Sequence, residues 1–174
     1  MKFSDMPYER VDFEKVGKEL DELIRELGEA KSGEEQFAVH QRYYVLTDHV
    51  RTLMTIGNIR HNANTVDEFY EKERKYYDEM GPVFQSKSLE YMQKLYESPY
   101  REYLESKIGP VAFKNMEVAM KAFDERVITL SQEENALTTE YDQLIAGAKI
   151  QFDGKELNLS LLRPYLVSPD REIR

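Results

Sequence analysis

The sequence predicts a mainly α protein: an elongated multi-helix bundle with one short β-hairpin near residues 148–159. Three observations carry this expectation. Apolar residues recur at three-to-four spacing through almost all of the first 147 positions. Helix start and stop signals punctuate those runs. The period then switches to two on either side of Asp153-Gly154. At 174 residues the chain fits one domain, which if compact would bury roughly 70% of its unfolded surface.

The first helix places Phe13, Val16, Leu20, Leu23, Ile24 and Leu27 on one face, and Gly28 with the "KSGEE" stretch closes it. Ser32 and Glu35 form a capping box for a second helix from Gly33 to about Ala63, with Leu46, Val50, Leu53 and Gly57 along a stripe. Such a helix is roughly 45 Å long, the spine of an elongated bundle. Thr65 and Glu68 make another capping box, so "NANT" is the connection into a third helix. Its apolar face is Phe69, Tyr70, Tyr76, Tyr77 and Met80, and Gly81-Pro82 should break or kink it. Helical spacing resumes with Phe84, Tyr91, Met92, Leu95 and Tyr96. Ser98-Pro99 caps a short helix, and Gly109-Pro110 ends it and opens the next. Phe113, Met116, Met120, Phe123 and Val127 continue the pattern, followed by Leu137, Tyr141, Leu144 and Ile145.

From Ala148 the chain alternates: Ile150 and Phe152 precede the Asp-Gly pair, and Leu157 and Leu159 follow it. Ser160 caps a short helix interrupted by Pro164. Ser168, Pro169 and Asp170 then carry the start signals of one more helix, which residues past Arg174 would complete. The organisation expected is a helical N-terminal lobe over 1–147, with 148–174 forming the hairpin and the start of a connection. Two strands cannot bury both faces alone, so an apolar patch is expected after Ala148, with self-association or a disordered C-terminal section.

Composition narrows the function. Hydrophobic residues make up 41% and charged residues 33%, with a net charge of −9, which argues against nucleic acid or an anionic membrane as partner. No apolar run could span a bilayer, and "MKFSDMPYERVD" lacks the apolar core of a signal peptide, so a cytoplasmic location is expected. There are no cysteines, which excludes disulfides and thiolate metal sites.

The search for chemistry finds no catalytic or metal-ligating residue, and the sequence does not identify which residues would touch a substrate. His40 and His49 are nine residues apart and fall on opposite sides of a helix; His40 and His61 share a side but lie roughly 30 Å apart. A di-iron bundle wants Glu three residues before His, yet Phe37, Leu46 and Asn58 hold those places. The carboxylates of "DEFYEKERKYYDEM" alternate with basic residues as on a solvated face. The twelve tyrosines, including the pairs Tyr43-Tyr44 and Tyr76-Tyr77, suit the boundary of a core, and alternatively a peptide groove. Gly57-Asn58 and Arg60-His61-Asn62 are either a polar contact site or the tapering end of the second helix, the latter being the preferred reading.

The chain nevertheless resembles a known family. The stretches "EEQFAVHQRYYVLTDHVRTLMTIGNIRHNANTVDEFYEKERKYYDE" and "LTTEYDQLIAGAKIQFDGKELNLSLLRPYLVSPDREIR" resemble the N-terminal region of the oligoendopeptidase F family, thimet-like zinc metallopeptidases. The resemblance covers essentially all 174 residues. It implies a non-catalytic helical lobe walling a deep channel that admits short, unfolded peptides. The family's zinc motif and its further contacts lie beyond the last position here, so no catalytic residue carries over and this chain alone should be inactive. Zinc, which in that family polarises the scissile carbonyl, is implied for the full-length protein only. The implied partners are an absent C-terminal catalytic domain and short peptide substrates. The alternative is a stand-alone helical interaction or scaffold protein without catalytic activity.

Overall fold

The computed structural model describes residues 2–122, 124 and 127–174. Phe123 and the side chain of Val127, both assigned above to an apolar face, lie outside the described residues. A single 3₁₀ turn, Phe3–Asp5, precedes α1 (Phe13–Glu29), α2 (Gly33–Ala63), α3 (Glu68–Tyr96), α4 (Arg101–Ile108), α5 (Pro110–Ala122) and α6 (Val127–Ala146). Strands β1 (Ile150–Phe152) and β2 (Lys155–Leu157) and helix α7 (Leu159–Leu166) follow, so the protein is mainly α with one hairpin. Two compact units divide the chain, Met1–Gln132 and Glu133–Arg174, the boundary falling inside α6.

In the first unit α1, α2 and α3 pack against one another, with α5 on α3 and α4 on both α2 and α5. All six apolar positions expected on α1 are buried, Leu20 and Leu27 completely. Burying one such side chain stabilises by about 1.5–3 kcal/mol. Asp12 caps α1 by accepting from the Lys15 amide at 3.0 Å. Helix α2 has the bounds the sequence suggests, and the Ser32 side chain accepts from the Glu35 amide. The return bond is displaced: the Glu35 carboxylate takes the Lys31 amide. Gln36, buried, donates to the Leu27 carbonyl at 2.9 Å and accepts from the Ser98 hydroxyl, tying the end of α1 to α2 and to the start of the α4 region.

Several local expectations need correction. Asp67, not Thr65, caps α3, its carboxylate accepting from the Phe69 and Tyr70 amides. Phe69 is 53% exposed rather than on the core. Helix α3 runs through Gly81-Pro82 without ending. The preceding residue is glycine, so the usual clash between the proline ring and a Cβ is missing, and Pro82 is buried in the packed face. Ser98 serves the turn before α4, accepting from the Tyr100 amide at 3.0 Å, while Tyr100 occupies the cap position. Gly109 ends α4 at φ 100°, a conformation other residues rarely adopt.

In the second unit β1 and β2 pair antiparallel, Ile150 opposite Leu157 and Phe152 opposite Lys155. Asp153 and Gly154 have φ of 50° and 69°, the double positive φ that a type I′ turn requires. Leu159 opens α7 instead of extending β2, and Asn158 rather than Ser160 caps that helix, accepting from the Leu161 amide at 2.9 Å. Pro164 lies within α7 without interrupting it. Phe152 meets Tyr165 edge to face at 4.9 Å. After α7 the expected helix is a run of turns: the Ser168 hydroxyl accepts from the Asp170 amide, and the Asp170 carboxylate from the Glu172 amide. Seven residues supply too few backbone bonds to repay helix nucleation.

The face formed by Leu137, Tyr141 and Leu144, which continued the core pattern in the sequence, is exposed at 66%, 61% and 72%. Of the apolar residues expected after Ala148, Leu157 is buried, Ile150, Phe152, Leu162 and Tyr165 are half-buried, and Leu159, Leu161 and Leu166 are exposed. The exposed apolar surface therefore begins earlier than the hairpin.

Candidate functional site

A dense polar constellation forms where the N-terminal strap, residues 2–12, crosses α2 and α3. Glu73 of α3 is completely buried. Its Oε2 accepts from the Tyr8 hydroxyl at 2.5 Å, and its Oε1 accepts from Arg10 Nε at 2.8 Å and from Arg10 Nη2. A buried carboxylate is costly unless paired and hydrogen-bonded, and the strap meets both conditions. Burial, then the bond to Glu73, pushes the Tyr8 phenol far above its ordinary value, so it remains a donor. Tyr77 hydrogen-bonds the Tyr8 hydroxyl at 3.0 Å, and Tyr76 donates to the Val11 carbonyl at 3.0 Å.

Arg60 of α2 extends the cluster. Its Nη2 donates to the Met6 carbonyl at 2.6 Å and its Nη1 to the Tyr70 hydroxyl at 2.7 Å. The guanidinium lies 5.7–5.8 Å from the ring centres of Phe3, Tyr8 and Tyr70. Gly57 lets the rings approach: a Cβ there would stand 3.1 Å from both Tyr8 and Tyr77. Asn58 accepts from Arg74, and His61 is buried. Gly57, Asn58, Arg60 and His61 thus lie in the last turns of α2, which ends at Ala63, and make contacts inside the protein, while Asn62 is exposed. Glu73 belongs to the "DEFYEKERKYYDEM" stretch whose charge alternation suggests a solvated face, yet it is buried. Its place three residues after Tyr70 and four before Tyr77, on the apolar face, was the available signal.

The constellation is a clamp: Tyr8 and Arg10 both donate to the one buried Glu73 carboxylate and so tie the strap to α3. The histidines do not converge. His40 is half-buried and stacked on Tyr43 and Tyr91, whose rings lie 3.8 Å apart; His49 is exposed. Among the described residues no group of three or more His, Asp or Glu could hold a metal ion, so the donors present do not fit a zinc site. Tyr43 and Tyr77 are core residues, Tyr76 lies at the boundary, and Tyr44 is exposed. A shallow groove of about 510 Å³ between α1 and α2 includes Glu19, Arg42 and His49, with no paired nucleophile and base.

A family model, the Peptidase M3 N-terminal domain, matches residues 3–123. The chain belongs to that family. No curated protein matches it. Three solved structures superpose over nearly the whole chain, each with a TM-score of 0.95. PZ peptidase A, solved with an inhibitor, is 36% identical over 99% of this chain. A protein assigned as an oligoendopeptidase F is 36% identical over 100% of it. A third, assigned likewise and from Bacillus anthracis str. Ames, is 34% identical over 100%. The M3 chain described here spans only 31–32% of the length of each. It is thus similar to one region of oligoendopeptidases, the N-terminal one, in sequence and in fold.

Proposed function

We propose that this chain is the non-catalytic N-terminal lobe of a zinc-dependent oligoendopeptidase, and that it walls the channel admitting short, unfolded peptides. The observation that carries the reading is superposition of 99% of the chain on 31% of a peptidase solved with an inhibitor. The geometry supports a wall rather than a catalyst. Three long helices share one core, the strap locks α2 to α3, and no acid, base and nucleophile converge among the described residues. Zinc and the reacting groups belong, in this reading, to the part of an M3 polypeptide that the matched region leaves out.

A stand-alone helical scaffold is the second reading, favoured by the closed core of the first unit. The reading frame past Arg174 separates the two. A downstream His-Glu-x-x-His motif, with chelator-sensitive peptide hydrolysis by the long polypeptide and none by the 174-residue chain, supports the peptidase lobe. One tightly held zinc per 174-residue chain, with chelator-sensitive cleavage by a clean preparation, overturns it.

A further inference from the structure

We infer that the second unit presents the surface through which this lobe seats on the rest of an M3 polypeptide, with the Leu137–Tyr141–Leu144 face of α6 at its centre. The inference rests on the reading of the chain as an N-terminal lobe and adds the contact surface and the character of what covers it.

Among its described residues the unit Glu133–Arg174 buries one apolar side chain, Leu157. A two-stranded hairpin and an eight-residue helix are marginal by themselves. Leu137, Tyr141 and Leu144 fall within an arc of about 60° on α6. Leu161 and Leu166 of α7 are exposed as well, at 56% and 60%. Large apolar residues clustered on a face mark an interaction surface, whereas single ones do not.

Charge selects the occupant. Glu133, Glu134 and Glu140 flank the α6 stripe, giving an apolar centre with an acidic rim. A second copy would bring an identical acidic rim against the first, on chains that each carry −9. An anionic membrane is repelled for the same reason. The surface suits an apolar patch edged by lysine or arginine. The matched solved chains continue for more than twice the matched length, and that continuation is the occupant to which the inference commits.

Hydrogen exchange over residues 137–166 tests this, comparing the 174-residue chain with the long polypeptide read from the frame beyond Arg174. Exchange in the long polypeptide is expected to be slower by about tenfold or more. Leu144→Glu in the long polypeptide should return it to within about threefold of the short chain, with the first unit unchanged. Because the wild-type comparison needs no substitution, a variant that fails to fold decides nothing against it. Equal exchange in the two wild-type forms overturns the inference. So does protection that appears only with rising concentration of the short chain, which would assign the face to a second copy. A Leu144→Glu effect confined to KM, with exchange unaltered, would assign the face to substrate and also overturn it. In each of these cases an active long polypeptide leaves the peptidase reading standing. Failure of that reading is a separate result, a long polypeptide without peptidase activity.

Discussion

Helices α1 and α6 carry the same message in sequence and meet opposite fates. Each has leucines and an aromatic residue at three-to-four spacing with charges between them. On α1 the stripe from Phe13 to Leu27 is covered by α2 and α3; on α6 Leu137, Tyr141 and Leu144 stay in solvent. The difference lies in what the chain places nearby. Helix α2 begins within a few residues of the end of α1 and α3 packs back on both, whereas α6 is followed by a three-residue-per-strand hairpin and one short helix. A periodic apolar face states that something covers it, without stating whether the cover is local.

The sharpest way to break this comparison is to truncate one residue from each stripe. Leu27→Ala should cost about 2–5 kcal/mol, because a fully buried leucine leaves a cavity. Leu144→Ala in the same 174-residue chain should change stability by no more than about 0.5 kcal/mol. Urea unfolding measures both, and similar losses would mean that the α6 face is already covered.

Tyr8→Phe comes next. It removes a donor from the buried Glu73 carboxylate and should cost about 1–3 kcal/mol. Its effect should be non-additive with that of Arg10→Ala, since both serve one carboxylate. Strict additivity in the double-mutant cycle would show that the strap is not a single clamp.

In the second unit, Gly154→Val should destabilise the hairpin by about 1–2 kcal/mol through backbone strain at positive φ. Nothing lies within 4 Å of a Cβ placed there, so crowding adds no cost. Asp153→Asn should be nearly silent, because asparagine tolerates the left-handed region. Amide exchange across β1 and β2 reads the pair, and equal, negligible effects would remove the turn assignment.

The smallest effect concerns pH. Burial holds His40 below its ordinary value of 6.5. The folded state therefore takes up that proton less readily than the unfolded state. The associated stability is complete above pH 6.5 and declines as pH falls toward the lower folded value. His40→Gln should flatten the stability profile in that window, and an unchanged slope would place the histidine in solvent.

Local chemistry in the sequence determined more of this protein than its function. The bounds of α2, the Ser32 cap, the buried face of α1 and the Asp153-Gly154 turn follow from interactions within a few residues. So they could be read without a fold. Pro82 defeated that reading because a glycine before it and a buried face around it let the helix continue. Glu73 defeated it because a carboxylate among lysines looks solvated until Tyr8 and Arg10, more than sixty residues away in the chain, arrive to pair it. The cap of α3 moved from Thr65 to Asp67 within a stretch where either side chain had suitable chemistry. What tertiary structure alone decided was which apolar stripes are satisfied. Burial is a property of two surfaces, and the sequence of one face does not contain the other.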